Sequence, residues 1–163
     1  FTTDRMTQNS TILRPIIALY EPDIPQNTAA IIRLSACLNL KVHIIGPCGF
    51  DLNDSRFKRV VMDYMGLCKI FRYQDYDDFF LKNKKKRVIL MTTKATKNYH
   101  KFKFKKNDIL LFGRESAGVP DNLHKTIKNR VKIPMNKKTR SLNVAMSVAI
   151  ISAEALRQNQ LLK

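Results

Sequence analysis

Short apolar runs alternate along the chain with segments whose apolar residues recur every three or four positions. Pro15–Tyr20 (PIIALY), Lys41–Gly46 (KVHIIG), Lys69–Tyr73, Arg87–Thr92 (RVILMT), Asp108–Gly113 (DILLFG) and Val131–Pro134 (VKIP) are rich in Ile, Leu and Val. Turn residues bound each run, so each predicts a strand. Helical spacing predicts helices near 27–39, 53–64, 75–82 and 120–127, and a longer one at 142–158. Strands that are apolar on both faces and separated by helices form a mostly parallel sheet covered on both sides. The fold class is therefore α/β. Residues 1–13 form a polar lead-in, with Met6 a candidate native start, and 14–163 form a single domain.

The final helix carries two apolar stripes. Leu142, Ala145, Met146, Ala149, Ile150, Ala153 and Leu156 make one, and Val144, Val148, Ile151 and Ala155 make the other. A helix apolar on two sides is buried on two sides. In a chain this short the second burial points to a homodimer formed through the C-terminal helix.

Composition narrows the function classes. With 163 residues and 44% hydrophobic content the chain can bury one substantial core, which argues against intrinsic disorder. No apolar run approaches the roughly 18 residues of a membrane span, and no leader pattern opens the chain, so a cytoplasmic protein is expected. Cys37, Cys48 and Cys68 are odd in number and widely spaced, which fits buried or half-buried thiols, not a disulfide or zinc framework. His43, His100 and His124 lack ligand spacing, so no metal is expected. The charge is more pointed. The formal net charge is +17, and neither Lys82–Lys106 nor Lys125–Arg140 contains an acid. Cations at this density attract polyanions and release their counterions, which favours nucleic acid. Both stretches are expected to flank the functional loops.

Three familiar motifs fail on inspection. Gly113–Gly118 has the GxxxxG spacing of a phosphate loop, but Val119 and Pro120 stand where Lys and Ser/Thr are needed. No GxGxxG follows a strand, and Ser116 is one place out of register for GxSxG. What remains is three junctions after strands, where ligands of α/β sheets bind. The first runs from Tyr20 through Pro22 and Pro25 to Asn27, Thr28 and Arg33. Asn27 or Thr28 suits a helix cap, and Arg33 stands off a core stripe of Ile31, Leu34, Ser35 and Leu38. The second is Phe112-Gly-Arg-Glu-Ser-Ala-Gly-Val-Pro120, and the third runs from Ile133-Pro-Met135 to Ser141-Leu-Asn143.

Together, Asn27…Arg33, Gly113-Arg-Glu115…Gly118 and Ile133…Asn143 resemble the three motifs of the SPOUT (SpoU/TrmH-type) RNA 2′-O-methyltransferases. LYEPDIPQNT, IIGPCGFDL and EALRQ are similar to the small branch acting on the tRNA wobble nucleotide, and the likeness runs from about Ile17 to Gln158. The resemblance implies a C-terminal trefoil knot, a homodimer, and S-adenosyl-L-methionine as cofactor. It implies methyl transfer to the ribose 2′-OH of nucleotide 34, cytidine or uridine, in the tRNA anticodon stem-loop. The cofactor would meet Met91, Thr92, Gly113, Gly118, Ile133, Met135, Ser141 and Leu142. The catalytic role falls to Arg33, with Asn27 and Asn143 positioning the site and Glu115 supporting its loop. Arginine stays protonated at neutral pH, so Arg33 would hold a phosphate or a developing alkoxide and would not act as a base.

The chain departs from the branch twice. Ala29-Ala30 replaces a Gly-Asn pair, and Ala145-Met146 replaces a Ser-Asn pair. Two alternatives stay open: 2′-O-methylation of another tRNA or rRNA nucleotide, and a non-catalytic RNA-binding module.

Overall fold

Each apolar run forms a strand in a computed structural model that describes residues 12–64 and 66–162. The polar lead-in and Met6 thus lie outside the described residues, apart from Ile12 and Leu13. In chain order the elements are β1 (Ile16–Tyr20), α1 (Pro25–Cys37), β2 (Lys41–Ile45), α2 (Ser55–Met62), β3 (Ile70–Tyr73) and α3 (Tyr76–Lys82). Then follow β4 (Val88–Met91), β5 (Ile109–Phe112), α4 (Asp121–Thr126), β6 (Asn129–Val131) and α5 (Val144–Gln158).

The six strands form one sheet in the order β3-β2-β1-β5-β4-β6, and every pairing is parallel. Alternation along each strand splits the core into two. Ile17, Leu19, Val42, Ile44, Leu110 and Phe112 face one side, packed with residues of α1, α2 and α5. Ile16, Ala18, Tyr20, Ile45, Ile109 and Leu111 face the other, with Phe79 of α3 and Leu123 of α4. All residues of β1 and β5 are buried, as central strands of a doubly covered sheet require.

Several local expectations shift. β6 is Asn129–Val131, not Val131–Pro134, because its pairing with β4 ends where β4 ends, at Met91–Val131. Lys132 instead pairs outward, donating its N–H to Lys97 O and accepting from Tyr99 N–H. α1 starts at Pro25 with Ile24 as its N-cap, so neither Asn27 nor Thr28 is the cap. Its core stripe is Thr28, Ala29, Ile31, Ile32 and Ser35, while Leu34 and Leu38 are only half-buried. Cys37 is exposed, contrary to expectation, whereas Cys68 is buried and its thiol is pushed up to about 11 by that burial.

Along α5, Val148, Ile151, Ser152, Ala155 and Leu156 are buried in the chain's own core. Leu156, grouped by spacing with Leu142 and Met146, therefore belongs with Val148, Ile151 and Ala155 on the inner side, leaving the others as the outer stripe. The rest of the outer stripe is open to varying degrees: Leu142 is 40% and Met146 62% exposed, Ala153 is exposed, and Ala149 and Ile150 are half-buried. No helix among the described residues is long and apolar enough to cross a membrane. Nor does any cluster of three His, Cys, Asp or Glu among them suit a metal.

Candidate functional site

β1 lies between β2 and β5, so its carboxyl end borders the crevice where the strand order reverses. There the loops after β1, β4, β5 and β6 enclose a cavity of about 490 Å³. That is within the range of small-molecule sites, roughly 300–1,000 Å³.

Hydrogen bonds join the three junctions at this cavity. Asn143 is the N-cap of α5, its Oδ1 accepting from Ala145 N–H at 2.8 Å and Met146 N–H at 3.4 Å. Its Nδ2 donates to Asn27 Oδ1 at 2.9 Å. One amide thus caps α5 and fastens it to the first turn of α1. Glu115 Oε2 accepts from Asp23 N–H at 3.0 Å, fastening the loop after β5 to the loop after β1. Arg114 reinforces the same seam, 3.5 Å from Asp23 and 3.9 Å from Glu21. Burial raises the Glu115 carboxyl above its ordinary value, and its hydrogen bond to Asp23 adds to the rise. Hydrogen bonds from Glu115 and Ser116 lower Asp23, with Arg114 adding its charge.

The loop after β5 closes on itself, with Arg114 N–H to Gly118 O at 3.1 Å and Gly118 N–H to Arg114 O at 2.8 Å. Gly118 has φ +67°, and a Cβ on Gly113 would sit 2.7 Å from the Gly118 backbone. The loop's own closure therefore demands both glycines, independently of any ligand.

Asn27, Met91, Thr92, Gly113, Glu115, Gly118, Ile133, Met135, Ser141, Leu142 and Asn143 all line the cavity. Arg33 does not. It is exposed, and its guanidinium lies over the Tyr64 ring, 5.4 Å from the centroid. Sequence spacing missed Ile24, Lys94, His124 and Ser147, which also line the cavity. His124 Nδ1 lies 3.0 Å from the Arg130 guanidinium, which only donates, so the neutral ring carries its proton on Nε2. Burial, followed by Arg130 and Lys94, lowers its pKa. Nε2 has no partner among the described residues, leaving a donor for a ligand to satisfy.

The basic stretches do not both flank these loops. Lys94 lines the cavity, and Lys137, Lys138 and Arg140 are exposed on a loop that also supplies its wall. Lys84–Arg87 and Lys105–Lys106 instead precede β4 and β5, at the opposite end of parallel strands. Between them, Phe102 and Phe104 are buried while Lys101, Lys103 and Lys105 are exposed, so part of this charge run is an inward–outward alternation.

A model of the SpoU rRNA Methylase family matches residues 14–153. A protein of Beijerinckia indica subsp. indica named tRNA (cytidine(34)-2′-O)-methyltransferase is 44% identical, over 88% of this chain and 91% of its own. One of Escherichia coli (strain K12) with the same name is 36% identical, over 87% and 92%. A structure described as "Structural insights into the 2-OH methylation of C/U34 on tRNA" superposes with a TM-score of 0.86 at 32% identity. It covers 91% of this chain and 97% of that one.

Proposed function

Because the chain belongs to the SpoU methylase family, we propose that it methylates the ribose 2′-OH of the wobble nucleotide, cytidine or uridine 34, in a tRNA anticodon stem-loop. The observation that carries this is the meeting of all three motifs on one cavity, tied by Asn27–Asn143 and Asp23–Glu115.

S-adenosyl-L-methionine, when bound, supplies an electrophilic methyl group. The cavity suits it in volume, in its apolar walls at Ile133, Met135 and Leu142, and in the unpartnered Nε2–H of His124. Met91, Thr92, Gly113 and Ser141 line the same space. Gly118, at positive φ, closes the loop that walls the cavity on its side. Arg33 steadies the negative charge that develops on the 2′-oxygen, or the neighbouring phosphate, while Asn27 and Asn143 hold the rim. Glu115 keeps the loop after β5 against the loop after β1.

Arg33 stands outside its own chain's cavity, so we assign its partner nucleotide to a dimer. α1 packs beside α5, and a second copy on the exposed face of α5, around Met146, carries its own α1 to that rim. The likeness in fold also supports a trefoil knot. After β6 at the sheet edge the chain returns along the loop after β5 to reach α5, and both segments wall the cavity.

The test is calorimetry with S-adenosyl-L-methionine, then transfer from labelled cofactor to total tRNA, with the labelled nucleotide mapped. Label on the 2′-oxygen of nucleotide 34 is expected. Binding without transfer would favour a non-catalytic module, and label elsewhere would reassign the substrate.

A further inference from the structure

The balance of charge differs between the two ends of the strands. Glu21, Asp23, Asp54, Asp75, Glu115 and Asp121 belong to loops or caps at the carboxyl ends of the strands, where the cavity lies. The amino ends hold cations. Lys41 opens β2, Lys69 precedes β3, Lys84–Arg87 precede β4, Lys105 and Lys106 precede β5, and Lys128 precedes β6.

The sheet register puts these residues at one level. Ile16 pairs with both Lys41 and Ile109, and Ile109 pairs with Val88. Val42 pairs with Ile70, and Ile89 with Asn129, which brings Lys69 and Lys128 to the same edge. Lys41, Lys69, Lys85, Lys106 and Lys128 are exposed. The only acids in the connections at this end, among the described residues, are Asp63 and Asp108. Asp108 is buried and bound by Arg87, with Arg87 Nη2 2.6 Å from Oδ2. The cations are close enough to repel: burial lowers the Lys86 ammonium, and Lys41 lowers it further.

Biased composition would give both ends the same balance. The cavity end sets Lys94, Arg114, Lys137, Lys138 and Arg140 against its acids, whereas at the amino end cations far outnumber acids, the footprint of a polyanion docked away from the cavity. Strands of four or five residues rise about 3.3 Å per residue, so the two ends stand roughly 15 Å apart. A nucleotide lodged in the cavity does not reach that far.

We infer that the lysine-edged amino end of the sheet is a second RNA-binding surface, gripping phosphates of the tRNA outside the anticodon stem-loop. This rests on the tRNA reading above, and it adds to that reading a contact with the body of the substrate. Phosphate contacts position without reading sequence, which suits a surface made of lysines on loops.

The test is a quadruple variant, Lys84→Gln, Lys85→Gln, Lys105→Gln and Lys106→Gln, all exposed and none lining the cavity. Its melting temperature and its S-adenosyl-L-methionine affinity establish that fold and cavity are intact. Binding of full-length tRNA and of an isolated anticodon stem-loop is then measured across a salt series. For full-length tRNA, affinity should fall at least tenfold, and the slope of log K against log salt should shrink by about 3. The stem-loop should bind and react as with wild type. Unchanged affinity and slope for full-length tRNA overturn the inference. Equal loss on both RNAs also overturns it, because the lysines then act on the stem-loop itself. If wild type binds tRNA in this lysine-dependent way yet methylates neither RNA, the surface stands and the enzymatic reading fails.

Discussion

Asn143 does two things with one side chain, and two substitutions separate them. Asn143→Ala removes the cap that accepts from Ala145 and Met146 N–H and also the donor to Asn27. Loss of an asparagine cap costs about 1 kcal/mol. An exposed amide–amide hydrogen bond adds roughly 0.5–1 kcal/mol. The sum of about 1.5–2 kcal/mol corresponds to a melting temperature lower by roughly 3–8 °C for a chain of this size. Asn143→Asp keeps the acceptor at the N-terminus of α5, where a negative charge is favourable, but cannot donate to Asn27. The cap is retained, and the charge at the helix N-terminus offsets most of the lost hydrogen bond, so the variant should melt within about 2 °C of wild type. Both variants should lose methyl transfer, because the rim between α1 and α5 is untied in each. Thermal unfolding and transfer to tRNA under saturating cofactor are the two assays. If the alanine variant melts with wild type, Asn143 contributes nothing as a cap. If the aspartate variant retains full turnover, the link to Asn27 does not position the site.

Arg33→Ala should reduce methylation by orders of magnitude while calorimetric cofactor affinity stays as in wild type, since Arg33 does not line the cavity. Gly113→Ala places a Cβ 2.7 Å from the Gly118 backbone and should destabilise by about 1–3 kcal/mol with weaker cofactor binding. Urea unfolding and calorimetry would show both. Burial, with Lys86 and Lys41, holds buried His43 down at about 4, against an ordinary 6.5. The unfolded chain then takes up the proton first. Stability should therefore fall by up to about 3 kcal/mol between pH 6.5 and 4, and His43→Gln should flatten that slope in pH-dependent unfolding. If the proposed dimer forms through α5, Met146→Glu should shift sedimentation toward the monomer, and a dimer that persists in the variant would remove α5 from the interface.

Strands and helices were legible because burial on both faces leaves unbroken apolar runs and helices leave a 3.6-residue spacing. The ends were less so. Pro25 starts α1 through its fixed φ without needing the polar cap that Asn27 suggested. The motif residues were legible as a set, and most surround one cavity, but their separation in space was not. Asn27 and Arg33 are about one and two-thirds helical turns apart, so they leave α1 in different directions, and only Asn27 lines the cavity. His124 was invisible because its role depends on Arg130 across a helix-to-strand turn. The charge runs misled in part because linear density ignores which end of a strand a loop occupies.

The position of β1 at the centre of the sheet has a consequence for how the chain is made. On the ribosome, β1, β2 and β3 emerge early and can pair at once, but the other edge of β1 must wait for β5, much later in the chain. Until then an entirely buried-type strand, Ile16–Tyr20, offers its unpaired backbone to any neighbour. The completed sheet depends on contacts distant in sequence, which slows folding relative to a protein of local contacts. The nascent chain therefore passes through a long window in which sheet formation is half finished. An unpaired apolar strand edge of this kind is where a partly made chain is prone to aggregate.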